Sequence, residues 1–229
     1  MNNIPIVFEN NEIIIINKPA GISVQGGEGV AHPLDEELSK QMGYKLHLVH
    51  RLDKETCGLM VVAKNPAAAA KWINYIAGGN VKKEYIAITF GIPQLNGKEK
   101  KQGTIQDNVT KGKRELSAVT HFSVEKTWTT EIPSQNENDE SKSLTFSKIH
   151  LKLGTGRMHQ IRIHLAKAGA PIAGDDKHGN FKLNKMAKKA LKIKNLLLCS
   201  KKLTLKENGK TTAFEVELPD YFSFENPKE

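Results

Sequence analysis

The sequence has very little cysteine, no long apolar run and too few acidic residues to balance its basic ones. Two cysteines in 229 residues, Cys57 and Cys199, leave no disulfide framework and no four-thiolate zinc site. They suit a reducing compartment, and the cytoplasm is the expected location. The aliphatic block Ile13-Ile14-Ile15-Ile16 has the length of a strand and falls far short of the roughly 18–20 residues that cross a bilayer, so no membrane association is expected. Met1 to Asn11 shows no basic stretch followed by an apolar one, and no secretory leader is read there. Acidic residues number 25 against 34 Lys and Arg, a net charge of +9. Such an excess attracts a polyanion, which for a cytoplasmic protein usually means nucleic acid. Between Phe181 and Lys206 acid is missing altogether, while nine lysines are present: Lys182, Lys185, Lys188, Lys189, Lys192, Lys194, Lys201, Lys202 and Lys206. This segment is either a nucleic-acid face or a solvated helix face. Charge selects the class of partner, not the chemistry.

What is present reads as many strands and few helices. With 38% apolar residues the chain can build one substantial domain spanning 1–229. Pro5–Glu9 and Glu12–Asn17 flank an Asn10-Asn11 turn and predict a hairpin. Pro33–Met42 predicts a short helix with proline near its first turn. Gly58–Ala63 is an apolar run of strand length, and Asn65-Pro66 opens a helix that runs to Gly78-Gly79. Lys83–Phe90 alternates, with Tyr85, Ala87 and Thr89 on one face. Further strands are expected near Gly103–Asn108, Glu115–Val124, Leu144–Leu153, Asn195–Cys199, Lys202–Lys206 and Thr211–Leu218. Met158–Ala168 predicts a helix closed by Gly169. The polar stretch 129–143 reads as a surface insertion, and the tail after Pro219 either packs through Tyr221, Phe222 and Phe224 or frays. The fold class expected is α+β, a largely antiparallel mixed sheet with flanking helices.

Two segments concentrate chemistry. In His50-Arg51-Leu52-Asp53-Lys54-Glu55-Thr56-Cys57-Gly58-Leu59 a carboxylate follows an arginine by two positions, just before a strand. A catalytic acid carried on a loop has this form, and so does a structural Arg–Asp pair capping a turn. In Leu153-Gly154-Thr155-Gly156-Arg157-Met158-His159-Gln160-Ile161-Arg162 glycines permit a tight turn before a helix flanked by Arg157 and Arg162. That arrangement suits a phosphate or carboxylate site, or ordinary helix capping with exposed arginines.

Together these segments resemble the RluA family of pseudouridine synthases. His50 to Leu59 is similar to that family's catalytic motif, Lys83-Glu84-Tyr85-Ile86-Ala87 to its second and Thr155 to Arg162 to its third. Leu196-Leu197-Leu198-Cys199-Ser200 is similar to its late leucine-rich strand. Asn17-Lys18-Pro19-Ala20-Gly21, Pro171-Ile172-Ala173-Gly174-Asp175 and Lys177-His178-Gly179 fill the spacing in the family's order. The chain departs from the usual pattern at Cys57 (serine), Cys199 (histidine) and His178 (tyrosine). No separate N-terminal RNA-binding module is expected, because the first landmark begins near residue 13.

The resemblance implies an RNA-modifying isomerase with no metal or organic cofactor. Asp53 would be the essential carboxylate, paired with and oriented by Arg162. Tyr85 would stack on the flipped uracil, Leu198 would pack under the same ring, and Arg51 would fill the gap left by the base or hold a phosphate. Arg157, His159, Lys182, Lys185, Lys188 and Lys189 are candidate RNA contacts. The expected partner is ribosomal or transfer RNA, with large-subunit ribosomal RNA favoured, no DNA, and a monomeric enzyme. Two other readings stand beside it. One is a non-catalytic RNA-binding protein of the same fold. The other is a metal-dependent hydrolase using His47, His50, Asp53, His159 and His164, whose spacing lacks a known zinc pattern.

Overall fold

The computed structural model describes residues 3–27, 29–111, 114–132 and 142–224. In chain order it contains strands β1 (Ile6–Glu9) and β2 (Ile13–Lys18), helix α1 (Leu34–Met42), β3 (His47–Leu48), β4 (Cys57–Ala63), α2 (Pro66–Ala77) and β5 (Val81–Phe90). There follow β6 (Gln94–Leu95), β7 (Lys98–Glu99), β8 (Gln102–Lys111), β9 (Arg114–Ile132), β10 (Lys142–Leu153), α3 (Gln160–Lys167), α4 (Phe181–Leu191), β11 (Leu198–Glu207) and β12 (Lys210–Glu215). The fold is α+β, with predominantly antiparallel strands, as the sequence predicts. None of the described helices is long and apolar enough to cross a membrane. The chain divides into two compact units, Met1–Glu84 with Cys199–Glu217, and Tyr85–Leu198 with Leu218–Glu229.

In the first unit, Asn10 shapes the opening hairpin by accepting the Glu12 and Ile13 backbone N–H groups on its side-chain oxygen. All four isoleucines of β2 are fully buried, the mark of a strand covered on both faces. Ile13 and Ile15 join Leu59, Val61, Ala68, Trp72 and Leu203 in one apolar cluster. Asn65 caps α2, its side chain accepting the Ala68 N–H at 2.8 Å, with Pro66 at the first helical position as expected.

β4 is the centre of this unit. It pairs antiparallel with β2 along Cys57's side of the chain from Gly58 to Ala63, and β3 pairs with its far end at Val62 and Ala63. β11 runs parallel to its near end, with Cys57 opposite Cys199 and Gly58 opposite Ser200. At Gly58 the backbone takes a φ of +105°, and a Cβ there would lie 2.3 Å from the Ser200 carbonyl oxygen. Only glycine permits that approach, and it fixes where the loop preceding β4 must end.

In the second unit the strand order is β5-β10-β9-β8. The ladder between β9 and β10 is long, and it takes residues 129–132 and 142–143 out of the stretch read as a surface insertion. Thr129, Thr130, Glu131 and Ile132 pair with Thr145, Leu144, Ser143 and Lys142. The run of β-branched and aromatic residues Thr127-Trp128-Thr129-Thr130 outweighs the polarity that suggested a loop; residues 133–141 lie outside the described residues. The tail packs as far as Phe224, whose ring meets Phe146 at 5.0 Å and Trp128 at 5.9 Å. One further boundary differs from expectation: the strands predicted at Asn195–Cys199 and Lys202–Lys206 are one strand, β11, which begins at Leu198. The lysine-rich segment opens with the helix α4, in keeping with the helix face weighed for it.

Gly58→Ala is expected to destabilise the fold by about 2–4 kcal/mol, through the disallowed backbone angle and the clash with Ser200. A denaturant-melt comparison with the parent measures it.

Candidate active site

Asp53 stands on the loop from β3 to β4, half-buried between exposed Arg51 and exposed Lys54. The loop is built from its backbone. The Thr56 N–H donates to the Asp53 carbonyl at 3.1 Å, and the Gly21 N–H donates to the Lys54 carbonyl at 2.9 Å. Lys18, at the end of β2, supplies the strongest support. Its side chain is fully buried, and its ammonium donates to three carbonyls, those of Pro19 (2.8 Å), Ile22 (3.0 Å) and Lys54 (3.0 Å). Burial pushes the Lys18 amine down to about 8, against the pull of Cys57, Glu55 and Asp53. One cation therefore stitches the loop after β2 to the loop carrying Asp53, one residue from the carboxylate itself.

His50 braces the same loop from behind. Its Nε2 accepts the Val61 N–H at 3.0 Å, which requires that nitrogen to be unprotonated. Burial, with the nearby charge of Lys83, holds its pKa well below the usual imidazole value. Lys83 is itself pushed down to about 8 by burial. The departures Cys57 and Cys199 meet as register partners in the parallel pair of β4 and β11, both buried. Contact with Cys57 and burial together drive the Cys199 thiol strongly upward, so it stays protonated.

In the second unit the turn before α3 is fixed by Gln160. This buried amide accepts from the Thr155 hydroxyl (2.7 Å) and the Arg157 N–H (3.0 Å), and donates to the Val119 carbonyl (2.9 Å) and Thr120 Oγ1 (3.0 Å). His159 precedes the helix in the left-handed region, φ 54°, and its Nδ1 lies 2.8 Å from Nε2 of His178. Thus a candidate RNA contact, His159, and a departure from the family pattern, His178, are in direct contact. Arg162 projects from α3 and is 6% exposed. Its Nε and Nη2 donate to the two carboxylate oxygens of Asp175 at 2.9 and 2.7 Å, a bidentate clamp. Burial alone would raise the Asp175 pKa, yet the Arg162 fork and the N–H groups of His178 and Lys177 hold it below the usual carboxylate range.

Tyr85 and Leu198, 6% and 3% exposed, are the residues at which the chain enters and leaves the second unit. Beside them the Ile88 N–H donates to the Leu197 carbonyl at 3.0 Å. Arg157 is exposed, as are Lys182, Lys185, Lys188 and Lys189 on α4. Arg51 and Asp53 thus belong to the first unit, and the other predicted site residues to the second. Of the histidines weighed as metal ligands, His50 is occupied by a backbone N–H and His164 is fully enclosed. Among the described residues no three His, Cys, Asp or Glu side chains cluster so as to hold a metal ion.

The sequence reading passed over Lys18, Gln160 and Asp175 as functional supports, quoting them only as landmarks. The available signal was a charged residue ending an otherwise apolar strand for Lys18, and an acid directly after Gly174 for Asp175.

Residues 12–167 match the RNA pseudouridylate synthase family. The chain belongs to that family. This synthase is 34% identical over 231 residues to the ribosomal large subunit pseudouridine synthase C of Rickettsia bellii, covering 95% of this chain and 69% of the relative. It is also 34% identical over 239 residues to the ribosomal large subunit pseudouridine synthase D of Neisseria meningitidis, covering 94% and 58%. In fold it is similar to the human RNA pseudouridylate synthase domain containing 4, with a TM-score of 0.73 at 24% identity over 96% of this chain and 90% of that one. The synthase is an isomerase that acts on RNA.

Two outcomes follow from the buried groups. Asp175→Ala leaves the Arg162 guanidinium buried without its clamp and is expected to cost about 3–5 kcal/mol, read from denaturant midpoints. His50 and His164 both have folded pKa values below the ordinary 6.5. Below that pH the unfolded chain binds protons that the folded chain does not, so stability present at neutral pH falls as the solution is acidified. Urea midpoints between pH 7.5 and 5 should show this decline, and His50→Gln, whose carbonyl oxygen still accepts from Val61, should make it shallower.

Proposed function

We propose that this synthase converts specific uridines of large-subunit ribosomal RNA to pseudouridine, with Asp53 as the catalytic carboxylate. The observation that carries the target is the kinship along nearly the whole chain with synthases named for the large ribosomal subunit. The loop geometry supports the role of Asp53, because Lys18, Gly21 and Gly58 fix that loop at three points while leaving the aspartate half-exposed.

The reaction breaks the bond between ribose C1′ and uracil N1, turns the base, and joins C1′ to C5. The proton leaves C5 and N1 gains one, so the isomerisation is redox-neutral and consumes nothing. The uridine must leave its stack for a side chain to reach C1′. Asp53 acts in its ionised form, either attacking C1′ or the ring, or abstracting a ribose proton. Arg162, whose Nε and Nη2 are held by Asp175, pairs with and orients Asp53 through the guanidinium edge outside that clamp. Tyr85 stacks on the uracil, Leu198 packs beneath it, and Arg51 occupies the space that the base vacates or holds a phosphate. Arg157, His159 and the α4 lysines contact the RNA backbone, whose phosphates supply much of the affinity.

The test is pseudouridine mapping of total RNA from cells lacking the gene, complemented by the wild-type chain or by Asp53→Asn. A discrete modified site in large-subunit RNA that returns with the wild type alone is the expected result. A lost site in transfer RNA would redirect the target. Restoration by Asp53→Asn would remove Asp53 from the chemistry, and tight binding without turnover on any transcript would leave a non-catalytic RNA-binding protein.

A further inference from the structure

Phe181 is 81% exposed, the most exposed large hydrophobic side chain among the described residues. It opens α4, where Asn180 caps the helix by accepting the Leu183 N–H at 3.1 Å. Lys185 and Lys188 follow it at four and seven positions, so the ring and the two amines share one exposed stripe, flanked by exposed Lys182 and Lys189. From the ring to Lys188 the stripe runs about 10 Å along the helix. Ala187 is the buried residue of this helix, and no acidic residue occurs between Phe181 and Lys206.

A bare phenylalanine in water wants an apolar or π-faced partner, while the lysines beside it want an anion. A nucleic-acid strand offers both in alternation, base then phosphate; an apolar protein face would bury uncompensated lysines. Duplex RNA keeps its bases stacked on one another, whereas an unpaired base has a free face. The helix is also well seated. Asn184 accepts the Gly174 N–H at 2.9 Å and donates to the Asp175 carbonyl at 2.8 Å, so α4 hangs from the same aspartate that clamps Arg162.

We infer that Phe181 turns the α4 lysine face into a base-stacking site, one that stacks an unpaired nucleobase on the Phe181 ring and seats its neighbouring phosphates on Lys185 and Lys188. This site rests on the reading of the chain as an enzyme of structured RNA and defines where a single-stranded part of that substrate runs. It selects substrates that carry an unpaired base.

The experiment compares the full chain with Phe181→Ala, Phe181→Trp and the double variant Lys185→Gln, Lys188→Gln. Binding to a single-stranded oligoribonucleotide and to its blunt duplex is measured by fluorescence anisotropy over a salt series. Phe181→Ala should weaken single-strand binding about tenfold, the loss of one base stack, without changing the salt slope. Phe181→Trp should bind at least as well as the parent. The lysine double variant should lower the slope by roughly one to two. Because Phe181 is exposed, thermal melts of all variants should match the parent. Equal single-strand affinity for parent and Phe181→Ala would overturn the inference while leaving the RNA-modifying activity standing. Parent chain that neither bound nor modified RNA would defeat the underlying reading instead. Self-association of the parent that Phe181→Ala abolishes, with RNA affinity unchanged, would make the ring a contact between copies and also overturn it.

Discussion

A single buried ammonium holds the Asp53 loop in shape. Lys18 is wholly removed from water, and its hydrogen bonds go to three backbone carbonyls. Burying a charge is expensive unless it is fully hydrogen-bonded, so the cation and the loop define each other: the carbonyls converge because the amine is there, and the amine is tolerated because they converge. Asp53 adjoins one of those carbonyls. On the other side of the loop the backbone of Gly58 lies against Ser200, and His50 receives a backbone N–H from Val61. A short carboxylate-bearing segment is thereby anchored from both sides.

The second unit solves the matching problem with a pair rather than a lone ion. Arg162 and Asp175 are bound edge to edge, and the aspartate takes further N–H groups from His178 and Lys177. The clamp sets the arginine's orientation within the fold, so its side-chain freedom is already restricted there. Gln160 does the same for the preceding turn by satisfying all of its polar capacity within the protein. Pre-ordering of this kind explains how a left-handed His159 is accommodated at the entrance to α3.

Much of this was legible in the residues. Asn65-Pro66 announced α2, the Asn10-Asn11 turn announced the first hairpin, and the ordered motifs named the family. What periodicity missed has physical causes. The span 129–143 carries acids that suggest a loop, yet its first residues are β-branched threonines that find partners across a ladder, and pairing partners distant in sequence are invisible locally. In the lysine-rich segment a helix face was legible but its bounds were not, because one buried alanine and a few half-buried aliphatics are a faint apolar stripe. Lys18 and Asp175 were overlooked as supports because their importance lies in what converges on them, and convergence is a property of three dimensions.

The depressed basicity of Lys18 has a consequence for anyone reading this enzyme's rate against pH. An amine titrating at about 8 loses its charge within the range of an ordinary alkaline assay, and Lys83, packed near His50, does so at a similar point. A fall in rate on that limb has the outward form of a reacting acid giving up its proton. The architecture supplies a second source for such a limb, because the ammonium that ties the loop together discharges over the same range.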